Sequence, residues 1–99
     1  MDQTAAVIRD ARRNLRDAEC TLRSVEASLR GNEADLAAVR AWIGTAAADL
    51  NAATASGDHV LRNRALQALA DAHDSLRDFE RIGAEFMELK SAAVRTAIR

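Results

Sequence analysis

Large aliphatic residues recur at every seventh position through the first half of the chain. This series, the leucine column, consists of Ile8, Leu15, Leu22, Leu29, Leu36, Ile43 and Leu50. Three residues after each member comes a smaller or polar side chain, and this second series, the inner column, consists of Ala11, Ala18, Val25, Asn32, Val39, Ala46 and Ala53. Alternating spacings of three and four residues place both columns along one side of an α-helix and are typical of coiled coils. The pattern predicts one helix over about residues 4–55.

Gly31 and Asn32 are the place where this helix could break, because glycine can end one helix and asparagine can cap the next. Both columns nevertheless pass through these residues without a change of phase. Gly31 on the exposed side of a continuous helix costs only about 1 kcal/mol relative to alanine. We therefore expect continuity, with Asn32 as a polar residue that fixes the register of the seam. A three-helix bundle broken at residues 31–32 is the alternative.

The strongest turn signal is Ser56-Gly57-Asp58, with glycine after one helix and aspartate as the N-cap of the next. A second helix is expected over about residues 58–98. Folding the chain back at Gly57 brings together residues whose numbers add to about 114. The predicted fold class is all-α, with residues 1–99 forming one helical domain: a long antiparallel two-helix hairpin that resembles a coiled coil.

Such a hairpin leaves apolar residues without a partner. The second helix has a wider apolar stripe than one neighbour needs, and the first ~17 residues extend beyond its end at a rise of 1.5 Å per residue. Exposed apolar stripes of this kind mark protein-binding surfaces. We expect a homodimer, forming a four-helix bundle, or a helical hetero-partner. The candidate protein-interaction residues are Ile8, Leu15, Leu22, Leu29, Trp42, Leu66, Leu69, Leu76, Phe79, Phe86, Met87 and Leu89.

Composition narrows the classes of partner and chemistry. Of the 99 residues 48% are hydrophobic, but 23 are alanine, so few side chains are large enough to fill a core. With 14 basic and 15 acidic residues, nucleic acid is not an expected partner. No apolar run is long enough for a membrane span, and no signal peptide is recognisable. We expect no membrane association, no metal and no cofactor, and a cytoplasmic location that suits the single Cys20.

The string Trp42-Ile43-Gly44-Thr45-Ala46-Ala47 lies near the centre of the chain. It resembles the W-x-G family of small type VII secretion substrates, which are helical hairpins with the Trp-x-Gly at the bend. The resemblance implies a bend at residues 42–45, a similar helical partner and secretion without a cleavable signal peptide. Phe86 stands where the family has a tyrosine, and Lys90 where its export signal has an acidic residue.

Two further features suggest chemistry. Ala72-His73-Asp74-Ser75-Leu76 looks like the phospho-accepting box of some sensor histidine kinases, which need an exposed imidazole beside an acid. In the proposed register His73 lies near Trp42, which instead predicts a half-buried packing histidine. Cys20 has no cationic neighbour that would activate its thiol, and Asp71, Asp74 and Asp78 have no cleft around them. We expect no catalytic residues.

The sequence therefore predicts a non-enzymatic helical interaction protein that acts as an adaptor, chaperone or small inhibitor. Its mechanism is burial of Leu, Phe and Met side chains against a partner helix, with Arg/Glu pairs setting the register. Secretion as a W-x-G-type hairpin and histidine phosphotransfer through His73 are the alternatives.

Overall fold

The computed structural model describes residues 2–98, with the backbone alone for Asp2. Helix α1 runs over Asp2–Ser56 and helix α2 over His59–Ile98, and these are the two secondary-structure elements of the described range. The prediction of an all-α two-helix hairpin is confirmed, as is the continuity of α1 through Gly31 and Asn32. The alternative of three helices is wrong, because the heptad phase that runs through residues 31–32 belongs to one helix.

The turn at Gly57 is built by a glycine and an aspartate. Gly57 has φ 75°, a left-handed conformation that favours a residue without a Cβ. The amide of Gly57 donates to the carbonyl of Thr54 at 3.3 Å, and that of Asp58 to the carbonyl of Ala53 at 3.2 Å. These two bonds satisfy carbonyls at the end of α1 in a Schellman motif. Asp58 Oδ1 then accepts from the amides of Val60 and Leu61, both at 3.1 Å, and caps α2.

Residue contacts divide the chain into two units, each built from both helices. The turn unit comprises residues 32–82, and the terminal unit comprises residues 2–31 and 83–98 within the described range. In the turn unit the buried residues are Asn32, Val39, Ala46, Ala53, Ala65 and Ala72. In the terminal unit they are Ala18, Val25 and Ala93.

Small side chains thus occupy the centre of both units. Six of the eight buried hydrophobic residues are alanine and two are valine. All the buried residues of α1 belong to the inner column. The buried residues of α2 are Ala65, Ala72 and Ala93, and we call the series with this spacing of seven, residues 65, 72, 79, 86 and 93, the inner column of α2. The leucine column lies about 50° to one side of the inner column, because each residue turns an α-helix by about 100°. From Leu22 to Leu50 its members are therefore half-buried, while Ile8 and Leu15 are exposed.

Asn32 is the one polar residue among the buried residues described, and it is 6% exposed. Its Nδ2 donates a hydrogen bond of 2.9 Å to the backbone carbonyl of Phe79 in α2. The expectation of a polar residue in the seam is confirmed. Because Asn32 can reach this carbonyl in only one alignment of the helices, it stabilises that register over its neighbours.

We predict that alanine substitutions at three glycines have opposite effects. Gly57→Ala should lower the free energy of unfolding by about 1–2 kcal/mol, because a Cβ is disfavoured at positive φ. Gly31→Ala and Gly44→Ala should raise it by about 0.5–1 kcal/mol, since an added Cβ meets nothing within 4 Å at either helical site. Urea denaturation measures all three. Stabilisation by Gly57→Ala would contradict the turn geometry.

We predict that Asn32→Asp destabilises the hairpin by about 2–4 kcal/mol at pH 7, because a buried carboxylate would face the carbonyl of Phe79. Burial should raise the folded-state pKa of the new carboxyl above its unfolded value of about 3.9. The loss should therefore be absent below about pH 4, where the acid can donate to the carbonyl, and should grow as the pH rises. Asn51→Asp, at an exposed position, is the control. Equal pH profiles of stability for the two variants would refute this role of Asn32.

Candidate interaction surface

Each unit has two sides that differ in their side chains. One side contains a groove between the two helices. In the turn unit a groove of about 620 Å³ is lined by Asp49, Ala52, Ala53, Ser56, Leu61, Arg64, Ala65 and Ala68. In the terminal unit a groove of about 320 Å³ is lined by Asn14, Asp17, Ala18, Thr21, Leu89, Ala92, Ala93 and Thr96. Some of these residues belong to the inner columns. The others, except Leu61, lie one position before or three positions after an inner-column residue in the sequence. We call this side the groove face.

The opposite side, the leucine face, carries the residues one and four positions after each inner-column residue. Both helices are right-handed and antiparallel in the hairpin, so these positions fall on the same side. The ion pair of the terminal unit agrees, because Glu26 lies 3.9 Å from Lys90 and both stand on this side. In the turn unit the leucine face consists of Leu36, Ile43, Leu50, Leu66, Leu69 and Leu76. Leu66 is 40% exposed and the other five are half-buried.

The leucine face of the terminal unit is less continuous. Leu22 and Leu29 are half-buried there, and Met87 and Val94 are exposed. The pair of Glu26 and Lys90 lies among them, with 41% and 39% of the respective side chains exposed. A charge pair inside an apolar strip makes this part poorer in apolar surface than the leucine face of the turn unit.

The part of α1 that precedes Asn14 has no described part of α2 beside it. The terminal groove sets residues 14–21 of α1 against residues 89–96 of α2, and α2 ends at Ile98. Every residue from Gln3 to Asp17 is exposed apart from the half-buried Ala6. We call residues 3–15 the N-terminal segment. Its leucine and inner columns continue the seam with the exposed residues Ile8, Ala11 and Leu15. The sequence predicted that about 17 residues extend beyond α2, but the groove that begins at Asn14 shows that the unpaired part is shorter.

The ion pairs differ from those expected. Three join residues three positions apart, with N–O distances of 2.8, 2.6 and 3.7 Å: Asp10–Arg13, Asp74–Arg77 and Asp78–Arg81. The heptad repeat also spaces Arg16 and Glu19, Arg23 and Glu26, and Arg30 and Glu33 three positions apart, and these are not among the ion pairs of residues 3–98. In every observed short-range pair the acid precedes the base, which is the orientation that the helix dipole favours.

The candidate interaction residues separate into three groups. Leu66, Leu69, Leu76 and Met87 join the leucine column on the leucine face. Trp42 and Leu89 lie on the side of the grooves, 41% and 52% exposed. Phe79 and Phe86 continue the inner column of α2 and are half-buried between the helices. The sequence did not show which flank of the seam each residue occupies.

His73 is exposed, so the expectation of a half-buried packing histidine is wrong. It follows the inner residue Ala72 by one position, which turns its side chain about 100° away from the seam. Asp74 is engaged by Arg77 at 2.6 Å on the solvent side. Cys20 is an exposed free cysteine.

Residues 42–45 lie within α1, and the chain reverses at Gly57 instead of at the Trp-x-Gly. Thr45 Oγ1 donates to the carbonyl of Ala41 at 3.2 Å, a bond within the turn of a regular helix. In the described part of the chain no three His, Cys, Asp or Glu side chains are grouped to hold a metal ion. Neither described helix is long and apolar enough to span a bilayer.

Comparisons with protein-family models, with curated proteins and with solved structures find no significant match to this chain.

Proposed function

We propose that this chain is a non-enzymatic helical interaction protein of the adaptor, chaperone or inhibitor type. It dimerises through the leucine face of its turn unit into a four-helix bundle and presents its remaining helical surface to protein partners. The observation that carries the proposal is the reversal of the usual burial order: small residues are buried, and large aliphatic residues form one outer face.

The apolar side chains on this face are only partly removed from water by the hairpin. Fully burying a leucine or isoleucine side chain contributes about 1.5–3 kcal/mol relative to leaving it exposed. A second layer of helices over the leucine face of the turn unit would complete the burial of six such side chains. Two helices with an alanine-rich seam gain little from packing against each other alone, so this second layer has a large effect on stability.

The chain buries little of its surface by itself. It exposes 7392 Å², whereas a compact chain of 10.7 kDa exposes about 5,500 Å². Two helices alone therefore leave apolar surface available for a further layer of protein.

A second copy suits this face because its edges carry both signs of charge. Glu33 and Arg40 border the apolar residues on α1, and Glu80 borders them on α2. Self-association therefore does not require one block of like charge to face another. Both helices contribute to the face, as in four-helix bundles formed from two hairpins, and closed dimers with two-fold symmetry are the commonest soluble oligomers.

Substitutions at two exposed leucines of α2 test whether the dimer forms through the leucine face. Leu66 on the leucine face is 40% exposed and Leu61 on the groove face is 49% exposed. We predict that the wild-type chain sediments as a dimer at micromolar concentration. Leu66→Lys should weaken the dimer about tenfold or more, because it places a charge in the apolar interface. Leu61→Lys should leave the dimer unchanged.

Circular dichroism shows whether both variants keep their helix content, so that a loss of dimer can be assigned to the face. A wild-type monomer at about 100 μM would overturn the proposed dimer, since obligate dimers associate far more tightly than this. Equal weakening by both substitutions would show that the leucine face is not the interface.

Exposure of His73 favours a second candidate function, phosphotransfer. A phospho-accepting histidine needs a solvent-facing imidazole on a hairpin that dimerises, and the structure gives His73 the exposed position. The kinase would have to be another protein. In this alternative the hairpin presents His73 at the edge of the four-helix bundle.

Phosphotransfer predicts acid-labile phosphate on the chain after incubation with a cognate kinase and ATP. The label should disappear in His73→Gln and persist in His59→Gln, because His59 lies at the start of α2, away from the box. Label that persists in His73→Gln would exclude His73 as the acceptor.

A further inference from the structure

The N-terminal segment carries a second, separate interaction surface. It keeps the coiled-coil seam of α1, with Ile8 48% and Leu15 43% exposed. Beside Ile8 a shallow groove of about 480 Å³ is lined by Ala5, Ile8, Arg9, Arg12 and Arg16. Three of its five lining residues are arginines, so the open seam is apolar along its centre and basic along one edge.

These three arginines have no acidic partner among the described side chains. Within the segment the ion pair is that of Arg13 with Asp10, on the other side of the helix. The charges between Gln3 and Asp17 are four arginines and two aspartates, a local net charge of +2 in a chain whose net charge is -1. The basic edge therefore remains available to an incoming group of negative charge.

We propose that this segment binds an amphipathic helix of another protein, with apolar residues at the seam and acidic residues facing Arg9, Arg12 and Arg16. The inference names the kind of partner for the interaction protein proposed above and rests on that function. The bound helix would lie along the exposed seam residues Ile8 and Leu15, beside the groove that the three arginines line.

A second copy of the chain fits this place poorly. Two N-terminal segments that pair through Ile8 and Leu15 would bring their arginine edges together, and like charges at such positions are destabilising. A bilayer surface is also a poor fit, because the apolar strip is only one seam wide and Asp10 and Asp17 border its other side. Membrane-binding helices have a broader apolar face.

The test uses two labelled probe helices of about 28 residues, four heptads each. Both have leucine at the seam positions, and they differ only in glutamate or lysine at the flanking positions. Fluorescence anisotropy at nanomolar probe is titrated with the full chain. The glutamate probe should bind about tenfold or more tightly than the lysine probe, and 0.5 M salt should reduce the difference.

Substitutions distinguish the contribution of the arginine charges to binding from that of the apolar seam residues. Combined Arg9→Glu, Arg12→Glu and Arg16→Glu should reverse the preference in favour of the lysine probe. The matched control, Arg62→Glu, Arg64→Glu and Arg77→Glu, makes the same change of charge at exposed positions of α2 and should leave the preference intact. Leu15→Glu should abolish binding of both probes, and because Leu15 is exposed this variant should keep its helix content.

Several outcomes would overturn the proposal. These are failure of the glutamate probe to bind, equal affinity for both probes, binding to anionic vesicles in place of the probe, or assembly beyond a dimer that the Arg9, Arg12 and Arg16 variant removes. Sedimentation of the same variants distinguishes this proposal from the dimer. The Leu66→Lys chain can lose dimerisation and still bind the probe, and the Leu15→Glu chain can lose the probe and still dimerise.

Discussion

Close packing of small side chains along the inner column is the constraint on which the rest of the structure depends. Six of the nine buried residues described are alanine, so the two helix backbones can approach closely, and Ala72 is 0% exposed. The same small residues bury little apolar area. The larger aliphatic side chains are displaced to the flank, where only another layer of protein can complete their burial. Fold and proposed function thus arise from one arrangement of residue sizes.

The heptad phase made the helices and their junction predictable. An uninterrupted column from Ile8 to Leu50 fixed the continuity of α1, and the Gly57-Asp58 pair has a local mechanism for reversing the chain that needs no tertiary information. Asn32 was predictable for a similar reason, since its place in the inner column is a matter of counting. Its partner, the carbonyl of Phe79, required the relative positions of the two helices.

The two faces of the hairpin were not predictable in the same way. Residues on either flank of the inner column have the same spacing, and only the packing of α2 shows that Trp42 and Leu69 belong to opposite sides. The burial of His73 was predicted wrongly, because the register of two helices shows which residues lie at the same level along the hairpin and does not show the direction in which their side chains point. The short-range ion pairs could not be predicted from spacing alone, because they also depend on whether the acidic residue precedes the basic one along the helix.

The turn also has a consequence for how the molecule folds. Ala53 and Leu61 line the same groove near the turn and are eight residues apart, whereas Ala18 and Ala93 in the terminal unit are separated by 75 positions. Closing a short loop costs less chain entropy than closing a long one, so the helices should zip together from Gly57 outward. The chain ends that carry the N-terminal segment are then the last to be ordered during folding and the first to open during unfolding.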